Sequence, residues 1–154
     1  MAKALQSLAA DRSVRSNTAP TLLERIEASQ RLTAECIAPT KLAATIDALG
    51  SVALRVEASS VSGASPVGHF LSGALVLRSG RLALWSPPTT TQLLLLDGVV
   101  AGYSGLSRVA TQARKLGATR INAIILGDLA EASDVVENVD RVFCLESAGL
   151  LAAA

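Results

Sequence analysis

Leu93-Leu94-Leu95-Leu96-Asp97-Gly98-Val99-Val100-Ala101-Gly102-Tyr103-Ser104-Gly105 is the stretch on which the fold turns. Four consecutive leucines leave no polar side for solvent, so residues 92–96 read as a strand that is apolar on both faces. Such a strand belongs inside a parallel sheet covered above and below. An acidic residue closes it, a loop of small residues follows over 98–105, and an apolar-periodic helix is expected over 106–116, stopped by Gly117. In open parallel sheets ligands sit beyond the carboxyl ends of strands, against helix N-termini. Asp97 and the loop after it occupy that position.

Downstream, residues 121–126 form a second nearly continuous apolar strand, 130–138 a short helix and 141–145 a last strand. Upstream, residues 81–85 read as a strand stopped by Pro87 and Pro88. Residues 67–77 read as a helix closed by Ser79-Gly80, 59–66 as a small-residue loop and 52–56 as a short strand. Thr21 is placed to cap a helix that runs towards Cys36, with Leu22, Ile26 and Leu32 near one face and Pro39 beyond its end. A second helix is expected from Thr40, carrying Leu42, Ile46 and Leu49, with Gly50 as its stop. Residues 1–20 read as a flexible tail, and 21–154 as a single α/β domain: a helical segment over 21–49 and a core over 50–147. The expected fold is an open, mostly parallel five-stranded sheet with helices on both faces.

Composition narrows the functional classes. Half of the 154 residues are apolar, 18% are charged, and 14 basic residues against 13 acidic ones leave a net charge of +1. Charges of both signs are spread along the chain, so it offers no basic footprint for nucleic acid or a membrane surface. Four aromatic residues in all are too few for a base-stacking platform. The longest uncharged window, 58–77, is too rich in serine to span a bilayer, and the start of the chain has no secretory signal pattern. A cytoplasmic location is expected, with Cys36 and Cys144 as reduced thiols.

The central stretch resembles the phosphoribosyl-pyrophosphate motif of the type I phosphoribosyltransferases. In that family four apolar residues precede two acidic residues, two apolar residues and a Thr/Gly-rich loop. Ala113-Arg114-Lys115-Leu116-Gly117-Ala118 is similar to the end of the helix that follows the loop, and Val139-Asp140-Arg141-Val142-Phe143-Cys144-Leu145 to the final core strand. The 59–65 loop and Pro66-Val67-Gly68 resemble the pyrophosphate loop and its helix, so the likeness covers roughly residues 50–147. It implies that Asp97 binds ribose hydroxyls or a metal-bound water. It implies that Ala101, Gly102, Tyr103, Ser104 and Gly105 hold the 5′-phosphate, and that Ser59, Ser60, Val61 and Ser62 face pyrophosphate. An active member would use Mg²⁺ and transfer ribosyl phosphate to a base through an oxocarbenium-like transition state, pyrophosphate leaving against the Ser59–Ser62 amides. Two departures stand in the motif: Gly98 replaces the second acid, and Tyr103 a loop glycine. The segments 78–81 and 86–91 are also short for a mobile lid.

Two functions therefore follow: a phosphoribosyltransferase-like protein acting on a phosphoribosyl compound or nucleotide, or an inactive relative that senses a nucleotide or contacts a protein. The helices over 21–49 leave a homodimer or partner surface open. Arg78, Arg81 and Arg108 are candidate phosphate neutralisers and equally ordinary surface charges. His69 reads as a partly buried packing residue, since no carboxylate at helical spacing orients it. Asp128, Glu131, Asp134 and Glu137 read as a solvated acidic face of the short helix rather than a metal site.

Overall fold

The computed structural model describes residues 18–87 and 92–146. The expected tail up to residue 17, with its helical turn at 4–10, and the stop at Pro88 lie outside those residues. The described elements run α1 (Leu22–Cys36), α2 (Leu42–Arg55), β1 (Ser60–Gly63), α3 (Pro66–Ser79), β2 (Ala83–Leu84), β3 (Gln92–Val100), α4 (Ser104–Lys115), β4 (Arg120–Asp128) and β5 (Arg141–Cys144). The five strands form one sheet in the order β2-β1-β3-β4-β5, and every neighbouring pair is parallel. The architecture is an open, Rossmann-like α/β sheet flanked by helices, as the leucine run requires.

Strand alternation sorts the leucines onto two cores. Leu94 and Leu96 face a cluster with Leu32 and Cys36 of α1, Leu49 of α2 and Leu71 and Leu75 of α3. Leu93 and Leu95 face a second cluster with Leu106, Ala110 and Ala113 of α4. All four leucines are essentially inaccessible to water. At about 25 cal/mol per Å² of apolar area, burying one such side chain contributes about 2 kcal/mol. The helical segment thus shares its core with the sheet, three helices covering one face and α4 the other. Trp85, Val136 and Val139 complete the α4 side from connections that hold no helix.

Four local expectations are corrected. Residues 52–56 do not form a strand: α2 runs through Gly50 to Arg55, because Ile46, Leu49, Val52 and Ala53 continue one buried helical face. The 59–66 stretch is not all loop: Ser60–Gly63 is strand β1, lying between β2 and β3 with Val61 fully buried. Its small residues serve packing. A Cβ on Gly63 would lie 2.0 Å from the His69 nitrogen, and one on Gly68 would lie 2.1 Å from the Leu96 carbonyl oxygen. Only glycines let α3 rest this closely on β1 and β3. Strand β3 extends past Asp97 to Val100, which shortens the expected 98–105 loop. Residues 130–138 carry no helix. Here Asp128 and Asp134 accept hydrogen bonds from the backbone N–H groups of Ala130 and Glu131, which competes with helix formation.

Candidate functional site

The crossover through α3 leads from β1 to β2 on one side, while β3 pairs on the other side of β1 and continues through α4 to β4. The carboxyl ends of β1 and β3 therefore flank the point where the sheet reverses its direction of growth, the usual ligand crevice of this strand order. Two connections meet there: Ala64-Ser65 leading into α3, and Ala101-Gly102-Tyr103 leading into α4. A Cβ on Gly105 would lie 3.9 Å from the Ala64 carbonyl oxygen, so the two connections touch.

Ser65 organises this crevice. Its hydroxyl oxygen accepts the Gly68 N–H at 3.1 Å, capping α3 ahead of Pro66, and its O–H donates to Asp97 Oδ1 at 2.5 Å. The Gly98 N–H also donates to Oδ1, at 2.8 Å. The Asp97 carboxylate is thus fixed through one oxygen. No described residue bonds Oδ2, and the residue is only partly buried, so that oxygen remains to accept a ligand hydroxyl.

The loop expected to take phosphate lies beside it. Tyr103 holds the N-cap position of α4 without a side-chain hydrogen bond to the helix, so the side chain leaves the first-turn N–H groups uncapped. Its ring packs against the α4-side core, and its hydroxyl donates to Asp128 Oδ2 at the end of β4. Burial and the Asp128 carboxylate both hold the Tyr103 hydroxyl well above the usual phenol range, keeping it a neutral donor. An open groove of about 880 Å³ runs past Gly102 and Ser104, with Arg25, Arg108 and Lys115 on its walls.

Position 98 has no room for a side chain. A Cβ on Gly98 would lie 2.8 Å from Thr33 Oγ1 and 2.9 Å from Thr33 Cγ2, and the Thr33 hydroxyl accepts the Val99 N–H at 2.8 Å. Helix α1 therefore sits where a second carboxylate would project.

Ser59, Ser60, Val61 and Ser62 are placed elsewhere than the expected loop. Ser60 is paired with Leu93 at the start of β3, and the Ser59 and Ser60 hydroxyls both donate to the Gln92 carbonyl at 3.3 and 3.2 Å. Both edges of β1 are hydrogen-bonded to neighbouring strands, so its backbone has no loop-like cradle of N–H groups. The loop that does reach the crevice is Ala64-Ser65. His69 is exposed rather than partly buried. Arg78 pairs with Asp47 at 3.0 Å, both side chains exposed.

Arg25 is one of the site residues that sequence reading missed. Its side chain is 11% exposed and reaches from α1 over the carboxyl edge, pairing with Glu131 at 3.1 Å and Asp134 at 3.7 Å. It also donates to the Ala101 carbonyl at 3.3 Å, while its buried Nε has no partner among the described residues. The acidic residues after β4 are thus partly ion-paired rather than a solvated face. No sequence motif announces this, because the partners lie more than seventy positions away.

Mg²⁺ is usually held by one or two carboxylates together with substrate phosphates. Here Asp97 leaves Oδ2 open, position 98 adds no carboxylate, and among the described residues no three His, Cys, Asp or Glu side chains gather around a point, so a Mg²⁺ ion would depend on Asp97 and the ligand's own phosphates. Cys36 and Cys144 are free thiols, and burial pushes the Cys36 thiol pKa up. No described helix is long and apolar enough to cross a membrane.

No family model matches the chain, and no curated protein does. Among solved structures the chain is similar to a hypothetical protein from Methanococcus jannaschii, whose crystal structure led to an inferred 3-hexulose-6-phosphate isomerase function. The identity is 17%, the match covers 80% of this chain and 72% of that one, and the TM-score is 0.40.

Proposed function

We propose that the crevice between β1 and β3 binds a phosphoribosyl compound or nucleotide, in the manner of the type I phosphoribosyltransferases that the central motif resembles. The observation that carries this reading is the Asp97 carboxylate, fixed by Ser65 and Gly98 beside the uncapped start of α4. Oδ2 accepts ribose hydroxyls, and the first-turn amides of α4 receive the 5′-phosphate with the helix's partial positive charge behind them. Arg108 adds a cation on the groove wall. Hydrogen bonds to charged groups contribute about 1.5–3 kcal/mol each, so the loss of Asp97 weakens ribose binding by about tenfold or more.

A second reading, binding without transfer, is favoured by Thr33 standing over Gly98. With one carboxylate at the motif and no Mg²⁺ cluster, the protein acts as a sensor whose bound ligand is read by α1. Calorimetric titration with phosphoribosyl pyrophosphate, ribose 5-phosphate and nucleoside monophosphates, with and without Mg²⁺, tests the shared binding claim. Absence of binding by all of them at millimolar concentration refutes both readings. Release of pyrophosphate from phosphoribosyl pyrophosphate in the presence of nucleobases separates them, since the sensor reading expects none.

A further inference from the structure

The opposite edge of the sheet carries a feature that the crevice does not use. The start of β4, the start of β5 and the end of α2 line an open polar pocket of about 560 Å³. Arg55, Arg120 and Arg141 all line it, and Asn122, 8% exposed, lies at its floor. Asn122 stands opposite Arg141 in the β4–β5 register, which brings an amide beside a guanidinium. None of the three guanidinium groups forms a hydrogen bond or close ion pair with a described residue, and Arg120 acts on Asp140 only at longer range.

Two carboxylates also line the cavity, and they offset this charge only in part. Asp140 is held by Arg114 in a two-pronged pair at 2.8 and 2.9 Å, and it accepts the Ile121 N–H at 2.7 Å. Glu57 leaves one negative charge against three positive ones. The carbonyls ending α2 add little, because the N–H groups of Val56, Glu57 and Ala58 bond back to Val52, Leu54 and Ala53. Planar guanidinium groups match phosphate oxygens in paired hydrogen bonds, and the volume lies within the usual range for a small-molecule pocket.

We infer that this cavity is a second anion site, taking a small phosphorylated ligand at the amino edge of the sheet through Arg55, Arg120, Arg141 and the Asn122 amide. It is separate from the crevice of Asp97, since it lies at the other end of the same strands. A ligand here joins α2 to β4 and β5, and it relieves the mutual repulsion of the three cations.

Amide chemical shifts of the full chain, followed during titration with inorganic pyrophosphate, test the inference. Saturable shifts at Arg120, Asn122 and Arg141 are expected. They should weaken at least tenfold in the Arg55→Gln/Arg141→Gln double variant and persist in Asp97→Asn. Both arginines are exposed and unpaired, so the double variant retains its dispersed spectrum. Absence of saturable shifts at those amides up to about 10 mM, where binding would be too weak to be specific, overturns the site. So do shifts confined to the Ala101–Gly105 segment, or shifts that the double variant leaves unchanged.

Discussion

Replacing Gly98 by alanine adds a single methyl group at the one point where α1 closes the motif. The new Cβ meets Thr33 Oγ1 at 2.8 Å and Cγ2 at 2.9 Å, both inside van der Waals contact. Thr33 is 8% exposed and its hydroxyl is held by the Val99 N–H, so it cannot move aside without losing that hydrogen bond. Overpacking of this kind costs about 1–3 kcal/mol. If Thr33 moves instead, its hydrogen bond from the buried Val99 N–H breaks, and an unsatisfied buried donor costs about 1–3 kcal/mol as well. Either route gives a loss of about 1–3 kcal/mol, read as a fall in urea midpoint at constant slope. Thr33→Ala alone should cost about 1–2 kcal/mol through the lost hydrogen bond. The double variant should cost less than the sum of the two singles, because the second change removes the clash made by the first. Gly98→Ala within about 0.5 kcal/mol of the parent, or strict additivity with Thr33→Ala, would refute the claim that α1 excludes a second acid.

Arg25→Met keeps the apolar stem but removes the charge that pairs with Glu131 and Asp134. Because both carboxylates are partly exposed, the expected loss is about 1–2 kcal/mol in chemical denaturation, with faster amide exchange at Ala101 and Leu129. Asp140 is held below the usual carboxylate range, first by the Ile121 N–H and then by Arg114. A depressed carboxylate stabilises the fold above its unfolded pKa and loses that contribution as pH falls through the folded value. Asp140→Asn should therefore flatten the acid limb of the stability–pH curve below about pH 4 while lowering stability at neutral pH. Glu57 adopts a left-handed φ of 53° at the end of α2, so Glu57→Gly should raise stability by about 0.5–1 kcal/mol. By removing the one free carboxylate of the arginine cavity, it should also tighten pyrophosphate binding there.

The parts of the fold legible in sequence are those where one face or both are uniformly apolar. The leucine run, 121–126 and the capped start at Thr21 read directly, since burial and capping are local patterns. The strand Ser60–Gly63 did not, because its serines and glycine answer to the close approach of α3, which is a tertiary demand. The Ser59–Ser62 residues expected to face pyrophosphate therefore lie in and before that strand, while the connection that reaches the crevice is Ala64-Ser65. Residues 52–56 carry β-branched valines that a strand and a buried helix face share, and only packing against α3 decides between them. In the site, Asp97 was legible from its place after four leucines. Arg25, Thr33 and Asp128 were not, since each reaches the crevice from a distant element by side-chain geometry alone.

The central claim places a ribose on Asp97 and its phosphate on the start of α4. A crystal structure of the full chain soaked with ribose 5-phosphate tests it most directly. Ribose hydroxyls on Asp97 Oδ2, phosphate oxygens on the Ser104 and Gly105 amides, and no density for the sugar in Asp97→Asn crystals are expected. A ligand seated away from the β1–β3 crevice, or bound identically in the Asp97→Asn protein, would contradict it.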